Sequence, residues 1–198
     1  ECSSGFRETY GGLHLKYDVI PDLAWFGKAL GNGYAITAVI GKKEIMSEAQ
    51  SSFISSTFWT ERIGPTAGLA TLKSMKIENS WLKITEIGKK LKIGWSKLAE
   101  KNNIDISIGG LDAIPYFSIN SSKWNKLKTF ISQEMLKKGY LASNIVYISI
   151  AHKSKFIDQY LEDLDGIFKK ISDIEQNETS IDKYLETPEA HSGFTRLN

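Results

Sequence analysis

The most constraining feature of this sequence is the segment PDLAWFGKALGNG at positions 21–33, where an apolar run leads into a lysine with glycines on both sides. Leu23, Trp25 and Phe26 predict a buried strand that delivers Lys28. Glycine permits backbone geometries that other residues avoid, and it leaves space beside the amine. Two interpretations follow. Lys28 either lies in a closed pocket, where desolvation lowers its pKa and makes it a nucleophile, or it is a solvated lysine after a strand and a turn.

Composition narrows the classes of partner. The chain has 198 residues and a net charge of +2, which gives no electrostatic argument for nucleic acid or a membrane surface as partner. No apolar run approaches the roughly 20 residues that a membrane-spanning helix needs. The single cysteine, Cys2, excludes an internal disulfide and is typical of a reducing compartment. We therefore expect a cytoplasmic protein.

Motifs on both sides of Lys28 resemble one enzyme family. Upstream are ECSSGFR at 1–7 and YDVIPDL at 17–23, and downstream is STFWTERIGP at 56–65. In this order they resemble the class III, fold-type I aminotransferases that use pyridoxal 5′-phosphate, and within them the group similar to glutamate-1-semialdehyde 2,1-aminomutase. The resemblance runs over most of the chain and ends at positions 191–197.

The resemblance implies an enzyme that transfers amino groups between small amino and keto substrates through a lysine Schiff base. Lys28 matches the lysine that bonds to the cofactor aldehyde and then moves protons as general base and acid. Lys42 and Lys43 are rival lysines, but they follow a predicted strand end without glycines on both sides. Aminomutases and transaminases share this chemistry, so the sequence leaves the choice between them open.

A hydroxyl-rich loop at positions 51–61 carries the second candidate site residue, Thr57. In the resembled family, the threonine at this position reaches the phosphate of the cofactor in the partner subunit, which implies a homodimer. The residues that follow depart from the commoner pattern of threonine, aromatic, two glycines, asparagine and proline. Ser56 and Thr60 therefore remain alternatives for the phosphate contact.

The resemblance also implies that the chain is the C-terminal fragment of a longer enzyme of the pyridoxal-phosphate-dependent fold type I. Residues 1–77 correspond to the end of the large α/β domain, and residues 78–198 to the small C-terminal α+β domain and tail. Glu1 would be the second member of an Asp-Glu pair, so the aspartate that contacts the pyridine nitrogen would precede it. We expect the isolated chain to be inactive. The alternative function is a non-catalytic module that serves only in dimer association.

Two other chemistries find no support in the sequence. A P-loop needs four residues between its first glycine and a Gly-Lys-Ser/Thr end, whereas here glycines follow the lysine and Ala29 cannot supply the magnesium-binding hydroxyl. The three histidines are far apart, and no Cys/His spacing predicts a zinc site. The sequence assigns no role to three further residues: Arg7, His191 and Arg196.

Hydrophobic periodicity predicts alternating strands and helices over the rest of the chain. β-Branched and small residues at positions 34–40 predict a second strand. The later predicted elements are a helix from Gly64-Pro65, a long helix with Ser80 as its N-cap, strands at 104–108 and 113–119 joined by Gly109-Gly110, a helix at 122–138, a strand at 145–150 and a last helix from Ser154.

Overall fold

The computed structural model describes residues 1–177, 180–191 and 193, and the chain divides into two compact units, Glu1–Thr85 and Glu86–Asn198. Arg196 and most of the motif at 191–197 lie outside the described residues. None of the helices in the described part is long and apolar enough to cross a bilayer.

The first unit contains an antiparallel pair of strands, β1 (Leu23–Phe26) and β2 (Ala38–Gly41). Leu23 pairs with Gly41 at one end, and Phe26 pairs with Ala38 at the other. The other elements of this unit are 3-10 turns at Leu13–Tyr17, Lys28–Leu30 and Glu48–Ser51 and helices α1 (Lys43–Ser47) and α2 (Ile63–Glu78).

The core of this unit lies on one face of β1. Ala24, Phe26 and Leu30 are buried there, and Ile36 and Leu72 are among the partly buried residues that pack against them. Trp25 lies on the opposite face and is 54% exposed. The expectation that Trp25 is buried was wrong, because successive side chains of a strand alternate between its two faces.

The second strand is shorter than the sequence predicted. Residues 34–37 belong to the connecting loop, where the Tyr34 N–H donates to the Gly31 carbonyl at 3.1 Å. The ladder begins only at Ala38, since Phe26 is the last residue of β1 and has Ala38 as its partner. β-Branched composition predicted the strand, but the length of its partner decides where pairing starts.

The elements after α2 are three long helices and a two-stranded antiparallel sheet. Phe117 of the sheet is fully buried. The centroid of its ring lies 4.8 Å from that of Trp95 and 5.7 Å from that of Phe168. Mixed helix and strand content of this kind confirms the predicted α/β and α+β fold class. The elements are α3 (Ser80–Lys101), β3 (Ile106–Leu111), β4 (Ile114–Ile119), α4 (Trp124–Lys137), α5 (Ser154–Gln176) and a 3-10 turn at Ile181–Tyr184.

Helix α5 shows the predicted amphipathic pattern. Most apolar positions three and four residues apart are buried, as expected for a helix of period 3.6, whereas Phe156 in the first turn is 48% exposed. The buried residues of this helix are Ile157, Tyr160, Leu164, Ile167, Phe168, Ile171 and Ile174.

Two strand predictions in this region were wrong. Gly109 and Gly110 lie inside β3 and do not form the turn between β3 and β4. Gly109 is needed within the strand for a different reason: the Tyr116 ring packs against it, and a Cβ there would lie 2.6 Å from the Tyr116 hydroxyl oxygen. The segment predicted as a strand at 145–150 makes one bridge, Tyr116 with Ile145. It follows β4 through separate backbone hydrogen bonds and forms no continuous ladder.

The predicted N-cap of α3 was also wrong. Ser80 is the first helical residue, and its Oγ is buried without a hydrogen bond to any described residue. Asn79 precedes it with a φ of 49°, and the Asn79 carbonyl accepts from the Leu82 N–H at 3.1 Å. Asparagine adopts this left-handed geometry more readily than most residues, which explains its place between α2 and α3.

Two substitutions in α3 test which face of the helix is the core face. Leu91 is fully buried and Ile93 is 57% exposed. We expect Leu91→Ala to lower the free energy of unfolding by about 2–5 kcal/mol, because it removes buried apolar surface and leaves a cavity. Ile93→Ala should change it by no more than about 0.5 kcal/mol. Denaturant titration of both variants checks this, and equal losses would contradict the assignment.

Candidate functional site

Lys28 lies directly after β1, as the sequence predicted, and it begins a 3-10 turn. The turn closes through hydrogen bonds from the Leu30 N–H to the Gly27 carbonyl at 2.9 Å and from the Asn32 N–H to the Lys28 carbonyl at 3.0 Å. Lys28 has a φ of 40°, in the left-handed region that residues other than glycine rarely occupy. An uncommon backbone conformation therefore sets the direction in which this side chain leaves the turn.

Two glycines after Lys28 serve different purposes. A Cβ on Gly31 would lie 2.1 Å from the Tyr34 carbonyl oxygen and 2.8 Å from Ile36 Cγ2, so Gly31 is required by close packing. Gly33 has a φ of 102°, and a Cβ there would meet nothing within 4 Å. The loop beside the lysine is thus tightly packed at Gly31 and open at Gly33.

The Lys28 side chain is exposed, so the described residues do not form the closed pocket that one interpretation of the sequence required. Its Nζ donates a hydrogen bond to the Ser3 hydroxyl. The rival Lys42 instead forms an ion pair with Asp22, with Nζ 2.6 Å from the carboxylate oxygen. A hydroxyl both donates and accepts hydrogen bonds, whereas a carboxylate only accepts them. The two lysines therefore differ in the chemistry of their partner.

The loop that carries Ser3 is held by the Glu1 carboxylate. This carboxylate accepts hydrogen bonds from Ser4 Oγ at 2.5 Å and from the His14 N–H at 3.1 Å, and His14 Nδ1 lies 3.1 Å from it. Burial raises the pKa of Glu1, but hydrogen bonds from Ser4 and from the backbone of Leu13 and His14 outweigh burial and lower the pKa to about 2. The carboxylate stays ionised and bound to the loop at neutral pH.

Close packing places the same loop against the strand. Gly5 is buried, and a Cβ on it would lie 2.6 Å from the Glu1 carbonyl oxygen and 2.7 Å from Phe26 Cδ1. Phe26 ends β1 two residues before Lys28, and Ser3 stands two residues before Gly5. The approach of Gly5 to the Phe26 ring therefore brings Ser3 to the lysine.

The loop that carries Thr57 is exposed throughout positions 51–60. Ser56 is engaged in the loop itself, because its Oγ accepts from the Phe58 N–H at 3.2 Å. Among the described residues, the hydroxyls of Thr57 and Thr60 have no hydrogen-bond partner. These two threonines remain available to an external acceptor, and Ser56 is the least available of the three candidates.

The start of α2 is capped by an acidic side chain that the sequence analysis missed. Both oxygens of the Glu61 carboxylate accept backbone hydrogen bonds, one from the Ile63 N–H and one from the Gly64 N–H, the latter at 3.1 Å. Gly64-Pro65 lies in the first turn, as predicted. Because Glu61 occupies these two amides, they are not free to bind an external anion.

Ser3 was also missed, since its contact with Lys28 joins residues 25 positions apart and leaves no local signal. Glu61 had such a signal, as a carboxylate just before a predicted helix start is a common cap. Arg7 is half-buried and His191 is exposed, and neither position assigns a role to the residue.

Comparisons with known proteins agree on one family. The profile of the family described as Aminotransferase class-III matches residues 3–171. The chain is 31% identical over 141 residues to a 3-aminobutyryl-CoA aminotransferase of Cloacimonas acidaminovorans, covering 69% of this chain and 34% of the relative. It is 30% identical over 192 residues to a glutamate-1-semialdehyde 2,1-aminomutase of Natranaerobius thermophilus, covering 88% of this chain and 44% of the relative.

Solved structures show the same fold. The FumI protein of Sphingopyxis sp., in its PLP internal aldimine form, matches with a TM-score of 0.80 at 20% identity, covering 88% of this chain and 43% of that protein. The acetylornithine aminotransferase of Elizabethkingia anophelis matches with a TM-score of 0.75 at 21% identity, covering 86% of this chain and 44% of that protein. The chain thus spans less than half the length of these relatives.

Substitution of Glu1 tests the hydrogen-bonded loop. The folded pKa of about 2 lies below the ordinary 4.5, so the unfolded chain binds a proton first as pH falls. The stabilisation from this group is therefore complete above about pH 5 and is lost as pH falls toward 2. We expect Glu1→Gln to lower the free energy of unfolding by on the order of 1–3 kcal/mol at pH 7. Denaturant titrations at a series of pH values should show that cost shrinking with acid, and a cost independent of pH would contradict the assignment.

Proposed function

The chain belongs to the class III aminotransferases, and from that premise we propose that it is the part of an amino-group-transferring enzyme that supplies the cofactor-binding lysine, Lys28. Membership of this family indicates pyridoxal 5′-phosphate as the cofactor. The observation that carries the proposal is the position of Lys28, whose exposed amine stands at the junction of β1 and a tight turn.

The residues present fit this cofactor. When bound, pyridoxal phosphate supplies an aldehyde that bonds to amines and a ring that withdraws electrons from the substrate carbon. Lys28 offers an exposed amine with a neutral partner, and the turn beside it is open at Gly33. Thr57 offers a hydroxyl without a partner in the described chain, and a phosphate is a strong acceptor for such a donor.

Lys28 has two proposed tasks. It would hold the cofactor through a covalent bond from Nζ, and Nζ, when free, would take a proton from the substrate carbon as general base and return one as general acid. Both tasks need an amine that is accessible and able to change protonation state. The hydroxyl partner supports this, because it can accept from the protonated amine and donate to the neutral one.

Thr57 is proposed to bind the cofactor phosphate of a second subunit. Its loop exposes three large aromatic side chains, with Phe53 98%, Phe58 75% and Trp59 68% exposed. Apolar groups of this size in one exposed loop are typical of an interaction surface. A homodimer in which this loop contacts the partner subunit would cover these rings and bring Thr57 to the other active site.

The wider assignments are proposals of the same kind. A small amino or keto compound is the proposed substrate, and the two named relatives leave transamination and intramolecular amino transfer as alternatives. A cytoplasmic location is supported by the single cysteine. Because the chain spans 34–44% of these relatives, we propose that residues 1–198 alone are inactive. The alternative is a non-catalytic module that serves only in dimer association.

Reductive trapping tests Lys28. The complete polypeptide that contains this chain is loaded with cofactor and reduced with borohydride, and the modified peptide is mapped by mass spectrometry. We expect the label on Lys28, its loss in Lys28→Ala and its retention in the control Lys42→Ala. A label on Lys42 or Lys43, or no label on any lysine, would refute the assignment.

Substitution of the loop hydroxyls tests Thr57. Thr57→Val keeps the shape and removes the donor, so cofactor affinity should fall by roughly tenfold to a hundredfold, the equivalent of one charge-assisted hydrogen bond. The control is Ser56→Ala, which removes a hydroxyl engaged in the loop and should affect stability more than cofactor affinity. Titration of cofactor and thermal unfolding of the apo form are the measurements.

Mixing subunits tests whether Thr57 acts across a dimer interface. A Thr57→Val subunit and a Lys28→Ala subunit each lack one contact, and in their heterodimer one site retains both if the threonine comes from the partner. Recovery of tight cofactor binding in the mixture is expected. Unchanged affinity in Thr57→Val itself would exclude the phosphate role, and loss without recovery would place the contact within one subunit.

A further inference from the structure

We propose that Ser3 is a positioning residue for the amine of Lys28. This inference rests on the proposed function of Lys28 and deepens it by assigning the group that orients the amine before the cofactor arrives. The sequence marks Ser3 only as one of two adjacent serines in a loop. The structure places its hydroxyl in a hydrogen bond with Lys28 Nζ.

The chemistry of the pair suits an amine that must change its protonation state. The protonated amine has three donors and no acceptor, and it donates to Ser3 Oγ. The neutral amine has a lone pair, to which the Ser3 hydroxyl can donate. One side chain can therefore accept from the protonated amine and donate to the lone pair of the neutral amine, whereas a carboxylate such as Asp22 beside Lys42 can only accept.

Ser3 is held in place more firmly than the lysine it contacts. Ser4, the next residue, bonds to the Glu1 carboxylate, and the Gly5 N–H donates to the Glu1 carbonyl at 2.8 Å. Gly5 is also in contact with Phe26 in the core of the unit. Ser3 is half-buried within this bonded segment, so its hydroxyl is a fixed point.

Lys28, in contrast, is exposed and has a long flexible side chain. A nucleophile reacts faster when it already lies in the reactive geometry, because less conformational freedom is lost at the moment of attack. The Ser3 hydroxyl restricts Nζ to one side of the turn without neutralising or burying it. Cofactor attachment should therefore depend on Ser3 even though Ser3 forms no bond to the cofactor aldehyde.

The test compares Ser3→Ala, Ser3→Thr and a matched control, Thr9→Val, in the apo form of the complete polypeptide. Thr9 lies in the same loop, and its hydroxyl donates to the Gly12 carbonyl at 2.8 Å. Two rates are measured: attachment of pyridoxal phosphate to Lys28, by absorbance and trapping, and modification of Lys28 by trinitrobenzenesulfonate relative to Lys43 in the same sample.

Ser3→Ala should slow cofactor attachment about two- to tenfold and change the Lys28:Lys43 modification ratio by a similar factor, as expected for loss of one hydrogen bond. Ser3→Thr keeps the hydroxyl and should restore both values to within about twofold. Thr9→Val should leave both at the wild-type value. Thermal unfolding of the apo proteins separates positioning from stability, because Ser3→Ala is expected to melt near the wild-type temperature.

Three results would overturn the inference. They are wild-type rates in Ser3→Ala, a loss that Ser3→Thr does not restore, and an equal loss in Thr9→Val. If wild-type Lys28 takes up no cofactor, the proposed function fails. The modification ratio in the apo protein would still decide whether Ser3 controls the reactivity of the Lys28 amine, so the two failures are distinguishable.

Discussion

The contact between Gly5 and the Phe26 ring is the constraint on which the candidate site depends. Phe26 belongs to the core of the first unit, and Gly5 lies against its ring at a distance that leaves no room for a Cβ. The first loop takes its position beside Lys28 from this contact, and it would have to move if the contact were lost. The hydrogen bonds of Glu1 then fix the conformation of the loop, so packing sets its place and polar contacts set its shape.

Much of the fold could be predicted from sequence because local signals coincide with the observed elements. Helices α2, α3 and α5 begin within a residue of their predicted starts, since apolar periodicity and first-turn residues act over short distances. The errors arose where a non-local partner decides the outcome. Trp25 lies on the exposed face of β1 because its neighbour Ala24 faces the core. The segment at 145–150 makes a single bridge, to Tyr116 of β4, and its own sequence does not show how far it pairs with that strand.

The site was predictable in part for the same reason. Glycines after an apolar strand single out Lys28, and the match of the neighbouring motifs to class III aminotransferases is confirmed by the family profile over residues 3–171. The role of Lys28 and that of Thr57 stay predictions. The residues next to Ser3 in sequence give no indication of its contact, because its hydrogen-bond partner, Lys28, is 25 positions away and is brought close only by the fold. Contacts of this kind become visible only when the packing of the loop on the strand is known.

Because the backbone of Lys28 is left-handed, the residue that would be most stable at this position differs from the residue that the proposed reaction needs. A residue with a Cβ is less stable in this conformation by about 1–2 kcal/mol, whereas glycine adopts it freely. The entropy that glycine adds to the unfolded chain is worth roughly 0.4–1 kcal/mol, which does not offset that gain. Selection for stability alone would therefore favour glycine at position 28. A design procedure that optimises only the free energy of folding would replace this lysine and remove the amine that the proposed reaction needs.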